Sequence, residues 1–281
     1  MLQQRTLNPE EIKAFMPAEK VGLVATVDPA GLPHITLITS IRAAGPGQLT
    51  LGEFCKGSSK THIRQRHQVG FLIMTMDRRM WRGKACWTHS RGEGPEYEQY
   101  NDLPTFRYNA YFGINTVHYL DLVAVSEGEA LPMGRIVKAA LLTKLAKGGA
   151  AGDRGGRILK PFAEEIFNRL DALKFIAYVG ADGYPVILPA IQCQAADSRR
   201  LTFSLQAFGA ELARIPKDSE VAVFGLTMAM EDVLVRGRYR GTSIHRMVRL
   251  GVVDIDWVYN SMPPCHGQIY PPVPLKAVVN F

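Results

Sequence analysis

The feature that most constrains this chain is that it repeats itself. Shifted by 152 residues without gaps, residues 9–76 match residues 161–228 at 16 of 68 positions, where chance gives about four. The matches include residues that set turns and helix starts, such as Pro9/Pro161, Gly31/Gly183 and Pro33/Pro185. Others are apolar and suit a core: Phe15/Phe167, Ala25/Ala177, Ile35/Ile187, Leu49/Leu201 and Val69/Val221. Further on, Arg82-Gly83-Lys84 matches Arg236-Gly237-Arg238 after a two-residue shift, and Asp121-Leu122 and Gly134 match Asp254-Ile255 and Gly267. A period this long excludes a solenoid or propeller, and each copy is large enough to bury its own core. The expected organisation is an N-terminal domain over 1–135, a helix and Gly-rich linker over 136–160, and a C-terminal domain over 161–281.

Within each copy the pattern predicts short strands around one internal helix. Asn8, Pro9 and Glu11 form a capping-box signature for an opening helix, and Pro161 takes the same first position in the second copy. β-rich runs follow at Val21–Val27, Ile35–Ile41, Gln48–Leu51 and Val69–Thr75, with counterparts at Leu173–Val179, Val186–Cys193, Leu201–Leu205 and Val221–Leu226. Asp28-Pro-Ala-Gly31 and Gly180-Ala-Asp-Gly183 read as turns, with glycine supplying the positive φ. A helical run spans Ser59–Arg66, and further strands are expected over Trp81–Trp87 and near Leu120–Ser126. Closely spaced short strands with one helix favour a small β-barrel over βαβ units, so the expected fold is mainly β, as two tandem split β-barrels related by duplication.

The ordered set Val24-Ala-Thr-Val-Asp-Pro-Ala-Gly-Leu-Pro33, Leu49-Thr-Leu51, Gly57-Ser-Ser-Lys60, Gln68-Val-Gly-Phe-Leu72 and Arg82-Gly-Lys-Ala85 resembles the FMN-binding split barrels of the pyridoxamine 5′-phosphate oxidase family. The resemblance covers most of 9–130 and, more weakly, 161–270. In that family two barrels pack together and FMN lies in the groove between them. The resemblance therefore implies FMN as cofactor and two barrels that pair within one chain or between chains. It implies flavin contacts at Thr36, Leu37, Ile38, Thr39 and Ser40, and at Gly52, Glu53 and Phe54. The chain departs from the family's enzymes at Thr36, where an Arg is usual, and at Ile41, where a Lys is common, with Arg42 beside it. It also lacks the Arg-rich C-terminal segment that binds pyridoxal phosphate.

The Gly57-Ser58-Ser59-Lys60 segment has its own physical reading. Small residues let the backbone approach an anion, hydroxyls donate, a helix start offers free N–H groups, and Lys60 adds charge. Ser58, Ser59 and Lys60 are thus expected to hold a phosphate; the plainer alternative is a Ser-capped helix with a solvated lysine. The second copy has Gly209-Ala-Glu-Leu212 at this place, and its carboxylate would repel phosphate, so that site is expected to be degenerate. Trp81 and Arg82 are candidates to approach the flavin, with an ordinary outward-facing barrel strand as the alternative. The extra stretch from His89 to Tyr119, with Tyr97, Tyr100, Phe106, Tyr108, Tyr111 and Phe112, suits a lid over a planar cofactor or a subunit contact. His34 heads the strand expected to face the cofactor.

Composition narrows the function classes. Lys+Arg of 33 against Asp+Glu of 26 gives +7, which suits anionic ligands. No strand interleaves aromatic and basic residues as a nucleic-acid face would, and no run is long and apolar enough for a transmembrane helix. Four cysteines without a CxxC pair, and a start without an apolar leader, predict reduced thiols and a cytoplasmic protein. No metal-ligating spacing, Ser-His-Asp set or dinucleotide fingerprint is found. The expected function is an FMN-binding flavoprotein and oxidoreductase of unknown substrate, with a small-molecule substrate or electron donor, no nucleic-acid or membrane partner, and homodimerisation as an option. The alternative is a split barrel that binds haem or another small ligand without turnover, through His245 or His266.

Overall fold

In a computed structural model of the 281-residue chain, the structure describes residues 2–55, 57–102, 113–152, 155–261 and 266–274. The chain divides into two compact units, one comprising Met1–Gly31, Thr36–Leu131 and Gly180–Val186, the other Leu32–Ile35, Pro132–Val179 and Ile187–Phe281.

The first sheet is built from β1 (Lys20–Val27), β2 (Pro33–Leu37), β3 (Arg42–Gly45), β4 (Gln48–Glu53), β5 (Gln68–Thr75), β6 (Arg79–Arg91) and β7 (Thr116–Val125), in the order β2-β1-β5-β6-β7-β4-β3, with β8 (Glu129–Ala130) paired to β6. Helix α1 (Pro9–Phe15) opens it, and the reciprocal Asn8–Glu11 capping box is formed. Helix α2 (Ser58–Gln65) joins β4 to β5, and α3 (Pro95–Asn101) lies between β6 and β7. The core is apolar and continuous, with Phe15, Val24, Leu49, Leu51, Ile63, Val69, Phe71, Ile73 and Trp81 among its members.

The second sheet uses β9 (Leu173–Val179), β10 (Pro185–Pro189), β11 (Gln194–Ala195), β12 (Arg200–Ser204), β13 (Glu220–Leu226), β14 (Asp232–His245) and β15 (Val248–Asn260), with β16 (Gly267–Tyr270) paired to β15. Its order, β10-β9-β13-β14-β15-β12-β11, is that of the first sheet strand for strand. The duplication read from the sequence is therefore a duplication of topology, and the mainly β architecture is the expected one. Phe15 and Phe167 are fully buried in their respective units. Gly31 and Gly183 hold φ of +85° and +80°, and no atom lies close to where a Cβ would stand, so only backbone conformation selects glycine there.

Three sequence expectations are corrected by the strand register. The run Ile35–Ile41 is not one strand. Ile38 N–H turns aside to donate to the Gly22 carbonyl, and Ile41 N–H donates back to Ile38 O, so β2 ends at Leu37 and β3 starts at Arg42. Gly22 permits this crossing, because a Cβ there would lie 2.4 Å from Ile38 O. The same fold-back recurs where Ala190 N–H donates to Lys174 O and Cys193 N–H to Ala190 O. Second, Arg82 faces Leu72 in β5–β6, while Leu234 faces Phe224 in β13–β14. Phe224 stands 152 residues beyond Leu72, so Arg82 corresponds to Leu234, and it is Lys84 that corresponds to Arg236. Third, Gly134 lies in a helix and Gly267 begins a strand, so those two do not correspond.

The segment read as helix and linker is an integral part of the second unit. Helix α4 (Met133–Ala146) is pinned to the sheet by a 2.8 Å hydrogen bond from Gln194 Nε2 to Ala140 O and a 2.9 Å bond from Ser204 N–H to Thr143 Oγ1. A 3-10 turn, Lys147–Gly149, follows it. Helices α5 (Pro161–Asn168) and α6 (Gly209–Leu212) complete this unit. Among the described residues, no helix is long and apolar enough to cross a membrane.

Candidate functional site

The end of β4 and the start of α2 bring together the most chemically unusual side chains of the first unit. Gly57 is the N-cap of α2 and offers no side-chain cap, so Ser58 is the first helical residue and no serine caps the helix. The first N–H groups of α2 are left to other partners. One residue on, Ser59 is buried and its Oγ has no hydrogen-bond partner. Lys60 is 8% exposed. Burial pulls its ammonium pKa down, and Cys55 and Glu53 act in the opposite direction. The expectation of a solvated lysine on an ordinary helix start does not hold here.

Glu53 ends β4 on the same side. Its Oε2 accepts a 2.6 Å hydrogen bond from His118 Nε2 on β7 and lies 3.9 Å from the Arg64 guanidinium. Trp87 Nε1, which can only donate, lies 3.2 Å from His118 Nδ1. His118 Nδ1 must therefore accept, Nε2 carries the hydrogen, and the imidazole in this Trp87–His118–Glu53 chain is neutral. Burial pushes the Glu53 carboxyl up, but the His118 hydrogen bond, with Lys60 and Arg64 nearby, more than offsets this and holds it below the usual carboxylate range. Glu53 is ionised and His118 neutral, and Lys60 and Arg64 are the basic groups beside them.

The other sequence candidates fall into distinct places. Thr36 and Leu37 end β2, both half-buried, and Thr36 Oγ1 is a buried hydroxyl without a partner. Ile38 belongs to the core and Thr39 is half-buried in the turn that follows. Ser40 is a clasp: its Oγ donates to Gly52 O at 2.9 Å and accepts from Gly52 N–H at 3.1 Å, while its carbonyl accepts from Tyr100 Oη at 2.6 Å. Gln192 does the equivalent work in the second unit, donating to Ser204 O at 2.8 Å and Ala207 O at 3.0 Å. A Cβ at Gly52 would lie 2.8 Å from the end of the Ile114 side chain, which would have to shift. Phe54 packs against the Tyr100–Ile114–Val117–Tyr119 cluster.

Trp81 turns into the core. Its ring meets Phe15 edge-on at 5.5 Å and its indole N–H donates to Glu11 Oε1 at 3.2 Å. It also lines a cavity of about 150 Å³ with Asn8, Glu10 and Asp77, which contains none of Ser58, Ser59 or Lys60. Arg82, on the opposite side of β6, is buried and lies 3.7 Å from Glu129; its N–H donates to Ser126 Oγ at 3.0 Å and its carbonyl accepts from Ser126 N–H at 2.8 Å. It is not the outward basic residue of an ordinary barrel strand.

Sequence reasoning missed His118, Trp87 and Arg64 and placed Tyr100 only in the aromatic insertion, because α2, β6, β7 and α3 bring these residues together only in three dimensions. Arg42, buried, places its guanidinium 5.3 Å above the Tyr100 ring and leaves Nε unpartnered. Of the aromatic insertion, Tyr97 and Tyr100 lie on α3, while Phe106, Tyr108, Tyr111 and Phe112 lie outside the described residues. His34 groups with the second unit, buried, its ring 5.3 Å from that of Tyr259. His245 has both ring nitrogens engaged, by Ser243 Oγ at 2.6 Å and Gly149 O at 2.8 Å, and His266 Nδ1 is hydrogen-bonded to Tyr259 Oη. The second copy's counterpart of α2 is the four-residue α6, headed by Phe208 in the left-handed region. Among the described residues, no group of His, Cys, Asp and Glu is placed to hold a metal ion.

No protein-family model matches the sequence, and no curated protein matches it. Solved structures do. An FMN-binding protein from Syntrophomonas wolfei is 12% identical, with a TM-score of 0.37 over 41% of this chain and 81% of that one. A pyridoxamine 5′-phosphate oxidase-related, FMN-binding protein from Nostoc punctiforme is 12% identical, with a TM-score of 0.30 over 42% of this chain and 83% of its own. A FAD-binding protein from Mesorhizobium loti is also 12% identical, with a TM-score of 0.30 over 44% and 96%. Each of these solved structures is matched over less than half of this chain, and the chain's own two sheets carry out one antiparallel plan twice.

Proposed function

We propose that the first unit binds FMN by its phosphate at the N-terminus of α2, and that the chain is a flavin-dependent oxidoreductase. The observation that carries this is the pairing of a buried, unpartnered Ser59 hydroxyl with a buried Lys60 ammonium at an uncapped helix start. Burying an unpartnered hydroxyl is costly, and a phosphate would satisfy hydroxyl, ammonium and helix N–H groups together. The unpartnered Thr36 hydroxyl at the end of β2 is a further donor within the candidate set.

The rest of the cluster sets the charge. Trp87 fixes the His118 tautomer, His118 holds Glu53 ionised, and Cys55 and Glu53 oppose the lowering that burial imposes on the Lys60 ammonium. Arg64 adds a second basic group. FMN, when bound, supplies one- and two-electron transfer, and the protein supplies its placement and electrostatic surroundings. Solved structures similar to this chain include FMN- and FAD-binding proteins, in keeping with a flavin.

The test is flavin binding by the purified chain. Protein flavin absorbance, or saturable quenching of added FMN fluorescence, is expected. The Ser59→Ala, Lys60→Ala double variant should weaken FMN binding at least tenfold, while riboflavin, which lacks the phosphate, should bind the parent and the variant alike. Unchanged FMN affinity in the double variant would show that the phosphate is held elsewhere.

A further inference from the structure

The second unit carries a surface that its own packing does not explain. A helix on a folded body normally shows one apolar stripe to the core and a polar face to water. Helix α4 is apolar on both sides. Ile136, Ala139, Ala140 and Ala146 are buried against the sheet, while Met133, Val137, Leu141 and Leu145 face solvent, Leu145 at 69% exposure. At helical spacing the last four form one continuous stripe, flanked by Lys144 on one side and Lys138 on the other.

The β14–β15 hairpin extends this stripe. Its tip meets the end of α4 through a 3.3 Å hydrogen bond from Arg246 Nη1 to Leu145 O, and through His245 Nδ1 and Gly149 O at 2.8 Å. The tip exposes Ile244 at 68% and Met247 at 97%. Arg246 and Met247 form the two-residue turn with φ of 44° and 67°, a conformation that favours Gly or Asn. Here it holds an arginine and a methionine out into solvent.

Charge identifies the occupant. No Asp or Glu occurs between Glu129 and Asp153, or between Asp232 and Asp254, whereas the two stretches carry Lys138, Lys144, Arg246 and Arg249. Two copies of this face would bring like charges together, which opposes self-association. The exposed apolar groups are aliphatic, so they provide no stacking platform for nucleic-acid bases. Aliphatic side chains between basic residues, on two segments that carry no acid of their own, match a bilayer surface with anionic headgroups. We propose that the outer face of α4 and the tip of the β14–β15 hairpin dock the protein on anionic membrane surfaces, with Leu141, Leu145 and Met247 entering the headgroup region. The sequence expectation is no membrane partner, with membrane-surface binding by Ile136–Lys147 as the weaker option; sequence alone does not show that this segment and the hairpin tip meet.

The experiment is co-sedimentation of the full chain with vesicles of phosphatidylcholine alone and with vesicles that also contain phosphatidylglycerol. Binding is expected only to the anionic vesicles and should be lost at high salt. Leu145→Gln with Met247→Ser should lower the partition at least tenfold, and Lys144→Gln and Arg246→Gln about fivefold each. These side chains face solvent, so melting of the variants should match the parent; if the apolar pair melts early, the charge variants carry the test. No binding to anionic vesicles, or binding that none of these variants weakens, would overturn the proposal. So would a dimer in sedimentation velocity that Leu145→Gln dissociates, since the face would then be a contact between copies.

Discussion

Replacing Ser40 with alanine should destabilise the first unit without touching the proposed phosphate grip. The Ser40 hydroxyl is the partner of both Gly52 N–H and Gly52 O, at 3.1 and 2.9 Å, in a buried setting. Alanine cannot replace either bond, and the small volume lost leaves little room for water to do so. Leaving a buried donor and acceptor unsatisfied costs about 1–3 kcal/mol each, so the expected loss is about 2–6 kcal/mol. At roughly 2–4 °C per kcal/mol for a unit of this size, the first melting transition should fall by about 4–24 °C. Circular dichroism melts and urea titrations of the parent, Ser40→Ala and Ser40→Thr measure this; threonine retains the hydroxyl and should recover part of the loss. FMN affinity, compared well below the melting range, should change little. A Ser40→Ala protein that melts with the parent but binds FMN tenfold more weakly would refute the clasp and return Ser40 to the flavin contacts that family resemblance implied.

Other consequences follow from buried charge and backbone conformation. Burial, with Arg42 nearby, pulls the Lys20 ammonium down to about 7, and burial pulls Lys174 to about 8, against about 10.4 in an unfolded chain. Between those values the unfolded chain holds protons that the folded one has released, so stability should rise with pH from about 7 to 10; Lys20→Met with Lys174→Met should flatten that rise in urea titrations. Glu53 has the opposite origin and a related sign: its lowered carboxyl pKa contributes stability present above the unfolded value of about 4.3 and lost as pH falls through the folded value. Glu53→Gln should therefore reduce the acid sensitivity of the first unit, read from its melting temperature between about pH 5 and 3. Gly31→Ala and Gly183→Ala should each cost about 1–2 kcal/mol through positive φ alone, because no atom crowds either position; a much larger loss in a melt would point to a contact instead.

Much of the architecture was legible in the residues. The repeat announced two bodies of one plan, and the residues that announced it have local physical roles: Phe15 and Phe167 fill cores, Gly31 and Gly183 take positive φ, and Asn8, Pro9 and Glu11 start a helix. Such roles depend on a residue and its near neighbours, and so they survive in a one-dimensional pattern. The place of the proposed anion grip is read from the sequence for the same reason, since a helix start and its first side chains are contiguous.

Contacts between strands far apart in sequence were not legible. Arg82-Gly83-Lys84 looks like Arg236-Gly237-Arg238, yet hydrogen-bond register puts Arg82 with Leu234, because pairing geometry rather than residue likeness sets which side chains face each other. Trp81, expected near a cofactor, is taken up by Phe15 and Glu11, and Ser40 by Gly52, since burial obliges each polar atom to find a partner wherever the fold brings one near. The relay from Trp87 through His118 to Glu53 spans three strands and carries no motif. Local chemistry thus wrote the number, kind and order of the elements into the chain, while long-range packing, which no short segment can encode alone, chose which polar groups are spent on structure and which are left to meet a ligand.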